Sequence, residues 1–468
     1  MTATLDSLAP DDVSPDAIDA LDALDAAPPS LAARVLRSSA ITLGGFVATQ
    51  GIRLLSNLLL ARLLFPEAFG MMALVTMVLT GLAMLSDVGL GPAIMGSPRG
   101  DDPAFLDTAW TVQIARGAVL WLAAVLAAPA VAAFYGEPDL RAFLPVAALT
   151  LLVSAFNPTR LQTQNRHLRA GLVTVVEVLV QLAGVLAAVA LALATRSVWA
   201  LVISGVLASA LNLLLLHLLL PGHRNALRWE RAAASELIHF GKWIFVATLC
   251  GFAVWQADKV ILGRLLDLGA FGLYNIAFFL ASFPVMLGGM VTGRVLIPVY
   301  RDSPPREGPA NAARVRRLRA GALALLLAMT LALALLGPFL VGLLYDERYH
   351  AAGGIVTLVA VAQMPALLIL TCDQAALAAG DSRRFFWLTL ARALLVAGGL
   401  LVGWQAGGLA GAIAGQGLGT LLAYPVLAWL LRPHGAWDPR LDAAYALAAG
   451  SAAGLALWAH AGAVGAIP

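Results

Sequence analysis

The sequence predicts an all-α integral membrane protein, with about 13 transmembrane helices in two pseudo-symmetric six-helix lobes around a central cleft, plus one C-terminal helix. Three observations predict it. Of 468 residues, 60% are apolar and only 12% charged, roughly half the charged share of soluble domains. Apolar runs of about 20 residues recur from Ser38 to Pro468, each long enough to cross a hydrocarbon core of about 30 Å. Lysine and arginine alternate between heavily and lightly basic loops, as the two sides of a membrane require.

Residues 1–30 are of another kind: seven aspartates (Asp6, Asp11, Asp12, Asp16, Asp19, Asp22, Asp25), no Lys or Arg, and Pro28-Pro29 at the end. This predicts a disordered acidic cytoplasmic tail, without the basic start and apolar centre of a signal peptide. Spans follow at 38–64, 71–95, 107–134, 140–159, 170–194, 198–220, 237–263, 270–298, 320–344, 354–379, 385–404, 408–431 and 441–465. They group into an N-terminal lobe (31–232), a C-terminal lobe (233–432) and an additional helix (433–468).

With the N-terminus inside, twenty basic residues fall on the cytoplasmic side, including Arg99, Arg160, Arg166 and the cluster Arg314 to Arg319. Five fall outside: Arg62, Arg141, Arg196, Arg264 and Arg348. The basic cluster is expected to bind anionic headgroups.

The halves repeat. Arg62-Leu-Leu-Phe-Pro-Glu-Ala-Phe-Gly70 returns as Arg264-Leu-Leu-Asp-Leu-Gly-Ala-Phe-Gly272, with six of nine positions identical at an offset of 202. A weaker echo pairs Tyr135, Glu137 and Gln164 with Tyr345, Glu347 and Gln374 at an offset of 210. Six spans per repeat make both copies enter from the same side, related by an axis along the membrane normal.

Several functions have no support. Cys250 and Cys372 lie in apolar runs, so neither a disulfide framework nor a thiolate metal site is expected. Net charge is +3 with no basic stripe interleaved with aromatics, which gives no case for nucleic acid. No nucleotide-binding glycine loop, metal cluster or nucleophile motif stands out, so no cofactor and no enzyme are expected.

A charge at the bilayer centre costs about 2.5–3.5 kcal/mol, and membrane chains keep one where it meets water, a partner or a ligand. Five cations fall within spans: Arg53, Arg116, Lys259, Arg294 and Arg392. Gln50, Arg53 and Asn57 share one face of span 1, and Trp110, Gln113 and Arg116 one face of span 3. Lys259 stands where Asn57 stands in the first repeat. These stripes can line the cleft; equally, such cations can pair with buried carboxylates or snorkel to headgroups. The acidic residues within spans are Asp87, Glu177, Asp258 and Asp373, which serve either ion coupling or counter-charge.

Leu60-Ala-Arg-Leu-Leu-Phe-Pro-Glu-Ala-Phe-Gly70, Ser86-Asp-Val-Gly-Leu90, Asp258-Lys-Val-Ile-Leu-Gly-Arg-Leu-Leu266 and Phe271-Gly-Leu-Tyr-Asn-Ile-Ala277 together resemble the polysaccharide-transporter branch of the oligosaccharide flippases. That branch belongs to the multidrug, oligosaccharidyl-lipid and polysaccharide exporter superfamily. The resemblance implies V-shaped lobes that open alternately to each side of a bacterial inner membrane. It also implies a polyprenyl-pyrophosphate-linked oligosaccharide as substrate, with basic cavity residues on the pyrophosphate. Arg53, Gln50, Asn57, Gln113, Arg116, Lys259 and Arg294 are the candidate contacts. Membrane lipids, a polysaccharide polymerase and a chain-length regulator are the implied partners. Two rivals stand beside this reading, a multidrug exporter of the same superfamily and a membrane polymerase or glycosyltransferase.

Overall fold

The computed structural model describes residues 31–86, 89–167 and 170–467. The acidic tail, Asp87 and Arg169 lie outside the described residues. Every regular element among these is helical. The first half comprises α1 (Leu31–Leu63), α2 (Pro66–Leu85), α3 (Leu90–Gly96), α4 (Pro103–Tyr135), α5 (Leu140–Ala147), α6 (Leu149–Ala155), α7 (Arg160–Arg166), α8 (Ala170–Thr195) and α9 (Trp199–Leu219). The second comprises α10 (Arg231–Leu265), α11 (Leu268–Ala281), α12 (Phe283–Val291), α13 (Ile297–Asp302), α14 (Pro309–Leu344), α15 (Ala352–Leu370), α16 (Gln374–Ala378), α17 (Ser382–Leu422) and α18 (Tyr424–Leu431). Helices α19 (Pro439–Ala459) and α20 (Ala461–Gly465) complete the chain.

By length and composition, nine of the described helices can cross a membrane, or ten counting a pair bent by 60°. The expected thirteen exceeds this because spans 1 and 7, in α1 and α10, are not among the nine, and because one span is bent and two others merge. The bent pair is span 4, where α5 and α6 run to Ala155 and α7 turns away. Span 8 is split among α11, α12, a turn of π-helix at Thr292–Leu296, and α13. Spans 11 and 12 merge in α17, although the chain reverses at Gly407 and at Gly408, whose φ of 57° suits glycine. Span 2, expected to be continuous over 71–95, ends at Leu85, and α3 begins only after the left-handed Gly89. Spans 3, 7 and 9 start earlier than expected, at Pro103, Arg231 and Pro309.

The local sequence accounts for the helix ends. Pro103 opens α4 behind Asp102, whose carboxylate accepts from Ala104 N at 3.0 Å, and left-handed Gly136 closes it. The repeated junctions begin their second helices differently. Pro66 stands at the first turn of α2, whereas the Asp267 carboxylate accepts from Ala270 N at 2.9 Å at the start of α11.

The two halves meet where α2 crosses α11, and the crossing is symmetric. A Cβ on Gly70 would sit 2.1 Å from Leu268 O, and one on Gly272 would sit 1.9 Å from Pro66 O. Pro66 and Leu268, like Gly70 and Gly272, stand 202 residues apart, so the sequence repeat and the pseudo-two-fold relation of the lobes coincide. Helix α10 straddles the expected boundary at 233. Its Ala233 and Leu237 pack with Phe105 and Leu106 of the first lobe, while its later turns meet α2 and α17.

Inside the second lobe, the halves of α17 fold back on each other along a glycine seam. A Cβ on Gly403 would lie 2.1 Å from Gly411 O, and one on Gly399 would lie 2.2 Å from Gly415 O. Small residues at a spacing of four let membrane helices approach this closely. Helix α19 is pinned by a buried ion pair, with Arg319 Nη2 donating to Asp442 Oδ1 at 3.0 Å and both side chains nearly inaccessible (1% and 2% exposed). Tyr424 OH also donates to Asp442, at 3.0 Å, and Trp437 Nε1 donates to Tyr424 OH at 3.2 Å. This corrects the expectation for Arg319. It sits in the helix α14 rather than in a headgroup-binding loop, and its charge is committed to Asp442.

Two outcomes are expected for thermal unfolding of the purified protein. Arg319→Met leaves Asp442 buried without its cation and costs ~3–5 kcal/mol, whereas Arg319→Met with Asp442→Leu recovers most of that loss. Gly411→Val overpacks the seam and costs ~1–3 kcal/mol. An unchanged unfolding midpoint in either single variant contradicts the packing described.

Candidate functional site between the lobes

The polar stripe of span 1 faces the second lobe. Gln50 is buried and its Nε2 lies 3.5 Å from Met286 Sδ, while Arg53 Nη1 donates to Gln50 Oε1 at 3.4 Å. The Arg53 guanidinium carbon stands 5.6 Å from the centroid of the Phe279 ring. The guanidinium therefore rests against an aromatic face, a cation–π arrangement, and the side chain stays exposed. Among the described residues, no carboxylate forms an ion pair with it. Asn57, one turn further, is half-buried. The residue equivalent to Arg53 in the second repeat is Trp255, which is 55% exposed. The two related positions thus carry a cation and a flat aromatic surface.

Lys259 is placed otherwise. Its Nζ lies 3.5 Å from Asp258 Oδ2 and 4.3 Å from the Phe278 centroid, and Tyr274 OH donates to the same Asp258 oxygen at 2.6 Å. Asp258 is thereby a buried counter-charge held by a tyrosine, with Lys259 balancing it.

Gln113 and Arg116 do not join Arg53. They line a cavity of about 260 Å³ inside the first lobe, between α2, α3, α4, α6 and α7, with no part of α1 in its wall. Arg116 Nε donates to Ser86 Oγ at 3.1 Å and its Nη2 to Ala83 O at 2.6 Å, capping the open end of α2. Gln113 Nε2 donates to Ala155 O at 2.9 Å and Asn157 O at 3.1 Å, where span 4 breaks. Ser154, Asn157 and Gln162 share the cavity, and Asn157 Oδ1 is buried without a hydrogen-bond partner among the described residues. A second cavity of about 330 Å³, lined by Thr76, Thr80 and Thr150, shares Ala83 and Leu151 with the first. Sequence reasoning missed Ser154, Asn157 and Gln162 as site residues. The Asn157-Pro158 pair was the available signal for a break.

The remaining candidates are scattered. Arg294 lies exposed in the π-helical turn of span 8, a distortion that often marks functional positions. Asp373 and Arg392 pair at 3.7 Å within the second lobe. Glu177 is exposed on α8.

The end of the molecule holding Arg62, Glu137 and Arg348 is closed across the lobes. Arg348 Nη2 donates to Ala61 O at 3.1 Å, and Tyr349 OH donates to Leu64 O at 2.9 Å, satisfying carbonyls at the end of α1. Phe69 meets Tyr349 edge-on at 6.1 Å, and Arg348 lies 5.1 Å over Phe65.

Two repeated helical lobes, meeting at a glycine crossing and enclosing polar side chains in apolar spans, define a multi-pass membrane protein with the fold of the multidrug and lipid exporters. The lipid II flippase MurJ, in an inward closed conformation, superposes with a TM-score of 0.66 at 12% identity, covering 88% of this chain and 90% of that one. An inward-facing multidrug transporter of the MATE family gives 0.61 at 16% identity, covering 84% and 95%. The chain belongs to the family described as polysaccharide biosynthesis protein, whose model matches residues 59–353. It is 23% identical over 256 residues to the lipopolysaccharide biosynthesis protein WzxC of Escherichia coli (strain K12), covering 53% of this chain and 51% of that protein. It is 23% identical over 366 residues to the succinoglycan biosynthesis transport protein ExoT of Rhizobium meliloti (strain 1021), covering 76% and 71%. The match to the teichuronic acid biosynthesis protein TuaB of Bacillus subtilis (strain 168) is also 23%, over 322 residues, covering 64% and 62%. The chain thus spans about half the length of WzxC and under two thirds of TuaB.

Arg348→Ala combined with Tyr349→Phe removes both hydrogen bonds that close the far end. Labelling of a cysteine placed at Asn57, on the stripe facing the second lobe, by an impermeant thiol reagent applied from that side should rise several-fold. Equal labelling with and without the two changes would show that these contacts do not hold the closure.

Proposed function

We propose that this chain is a flippase that moves a polyprenyl-pyrophosphate-linked oligosaccharide across the bacterial inner membrane by alternating access, for O-antigen, capsule or exopolysaccharide. The observation that carries this reading is Arg53: an exposed guanidinium at mid-span, facing the opposite lobe, with an amide and an aromatic ring as its neighbours. A cation maintained there at a cost of several kcal/mol needs an anion, and the two phosphates of such a headgroup supply one. Trp255 at the related position offers the flat apolar face that stacks on a sugar ring. The headgroup then crosses beside polar groups while its tail stays in lipid.

The closed end holds the lightly basic loops and the opposite end the heavily basic ones. By the charge rule, the basic end is cytoplasmic, the N-terminus lies inside, and this conformation is closed outward. A polymerase and a chain-length regulator are the partners this role calls for.

The multidrug exporter shares the fold, and a cationic drug favours an acidic cleft. Arg53 speaks against it. A polymerase or glycosyltransferase needs a loop to carry catalytic groups. Here the connections at the closed end are short, such as Leu64-Phe65 and Leu266-Asp267. The named structural neighbours are transporters, in line with a protein that is not an enzyme.

Arg53→Ala should lower translocation of the lipid-linked sugar in vesicles by about 10–100-fold, the worth of one charge-assisted contact of ~1.5–3 kcal/mol. Arg53→Lys should recover part of it. Full activity in Arg53→Ala discards the assignment.

A further inference from the structure

The basic end of the second lobe contains a cavity of about 300 Å³, best understood by comparison with the same end of the first lobe. The comparison rests on the internal repeat, in which Gln164 of α7 matches Gln374 of α16, so Arg166 corresponds to Ala376. In the first lobe, Arg166 fills the space beneath the loop joining spans 2 and 3. Its Nη1 donates to Ile94 O at 3.0 Å, Met95 O at 2.8 Å and Ser97 O at 2.8 Å, and its Nε to Asp101 Oδ2 at 3.2 Å. Arg99 in that loop is likewise consumed, by Asp102 and Glu230 at 2.6 and 2.9 Å.

In the second lobe α16 reads Gln-Ala-Ala-Leu-Ala and presents Ala375 and Ala378 to the cavity wall. Ala376 itself is fully buried and forms no part of that wall, and cations line the cavity together with these alanines. Arg301 and Arg306 of the span 8–9 connection reach it, together with His434. Arg306 is exposed and has neither a hydrogen bond nor an ion pair among the described residues. His434 is 9% exposed, its Nε2 lies 3.2 Å from Asp381 Oδ2, and its buried Nδ1 has no partner among the described residues. Three carboxylates temper the charge: Glu307 in the wall, Asp302, which holds Arg301 at 3.0 Å, and Asp381 beside His434, itself paired with Arg384 at 3.4 Å. Arg314, which reaches Ser303 Oγ at 3.5 Å, restores a positive balance.

We infer that this cavity is a binding site for a phosphate-bearing group at the basic membrane face, with Arg306 and Arg301 as the charged contacts and His434 in its wall. Paired guanidiniums suit the geometry of phosphate oxygens, and a site at the membrane surface can receive them from a lipid headgroup or from solution. The inference does not rest on the transport reading, and its test measures binding rather than translocation.

The experiment follows the thermal unfolding midpoint of the full chain in phosphatidylcholine nanodiscs, against two probes at matched ionic strength. The first is added phosphatidylglycerol, and the second is inorganic pyrophosphate. Ligand that binds only the folded protein raises the midpoint saturably. The expected result is a rise of a few degrees in the unaltered chain, abolished in Arg301→Ala/Arg306→Ala. Arg317→Ala, an exposed cation outside the cavity, should respond like the unaltered chain. A response to phosphatidylglycerol alone assigns a lipid-borne phosphate, and one to pyrophosphate as well assigns a site open to solution; both support the inference. It is overturned if the unaltered chain and the double variant behave alike with both probes, or if Arg317→Ala loses as much as the double variant.

Discussion

The architecture depends on one close approach, the passage of α2 over α11 with no side chain at the crossing. Glycine is required at both Gly70 and Gly272 because a carbonyl of the partner helix occupies the place of a Cβ. The crossing fixes the relation of the lobes at one level of the membrane. From it follow the facing of Arg53 and Phe279, the reach of Tyr349 to Leu64, and the alignment of Arg53 with Trp255 as related positions. A repeat in the sequence becomes a symmetry in space because both copies bring the same motif to the same axis.

Symmetry in the backbone does not extend to the charges. In the first lobe Arg99 and Arg166 at the basic end are consumed internally. The second lobe buries Arg319 against Asp442 to hold α19, pairs Arg392 with Asp373, and leaves Arg306 facing a cavity. At mid-membrane the asymmetry reverses, since the exposed cation belongs to the first lobe and the tryptophan to the second. Two lobes from one repeat have thus diverged in their charges while keeping the crossing that joins them.

Much of this was legible because membrane helices write themselves as apolar length, and because the Arg62–Gly70 motif carries its own copy. The stripe Gln50, Arg53, Asn57 was also legible, since helical spacing alone puts the three on one face. What escaped was non-local. Nothing near Arg319 announces Asp442, 123 positions away, so a buried ion pair was read as part of a surface cluster. Gln113 and Arg116 shared a stripe, but which space they faced was decided by the breaks in spans 2 and 4. Such breaks interrupt hydrogen bonding without interrupting hydrophobicity, so apolar length does not register them.

The closed end indicates how such a molecule can rock. Among the described residues no ion pair crosses from lobe to lobe. The closure consists of Arg348 and Tyr349 donating to the carbonyls of Ala61 and Leu64, with aromatic edges around them. A hydrogen bond of this kind is worth about 0.5–3 kcal/mol net, so separating the pair costs a few kcal/mol. Inverting a population from 1:99 to 99:1 requires about 5.5 kcal/mol of differential binding. Under the proposed function, a doubly charged headgroup held by one state more tightly than the other supplies that. A buried ion pair across the same seam, of the Arg319–Asp442 kind, would cost about as much to break as the ligand could offer. A weak closure of this kind is what the proposed alternation requires. The strongest buried ion pair, Arg319–Asp442, does not cross between the lobes and instead ties the additional helix to the second one.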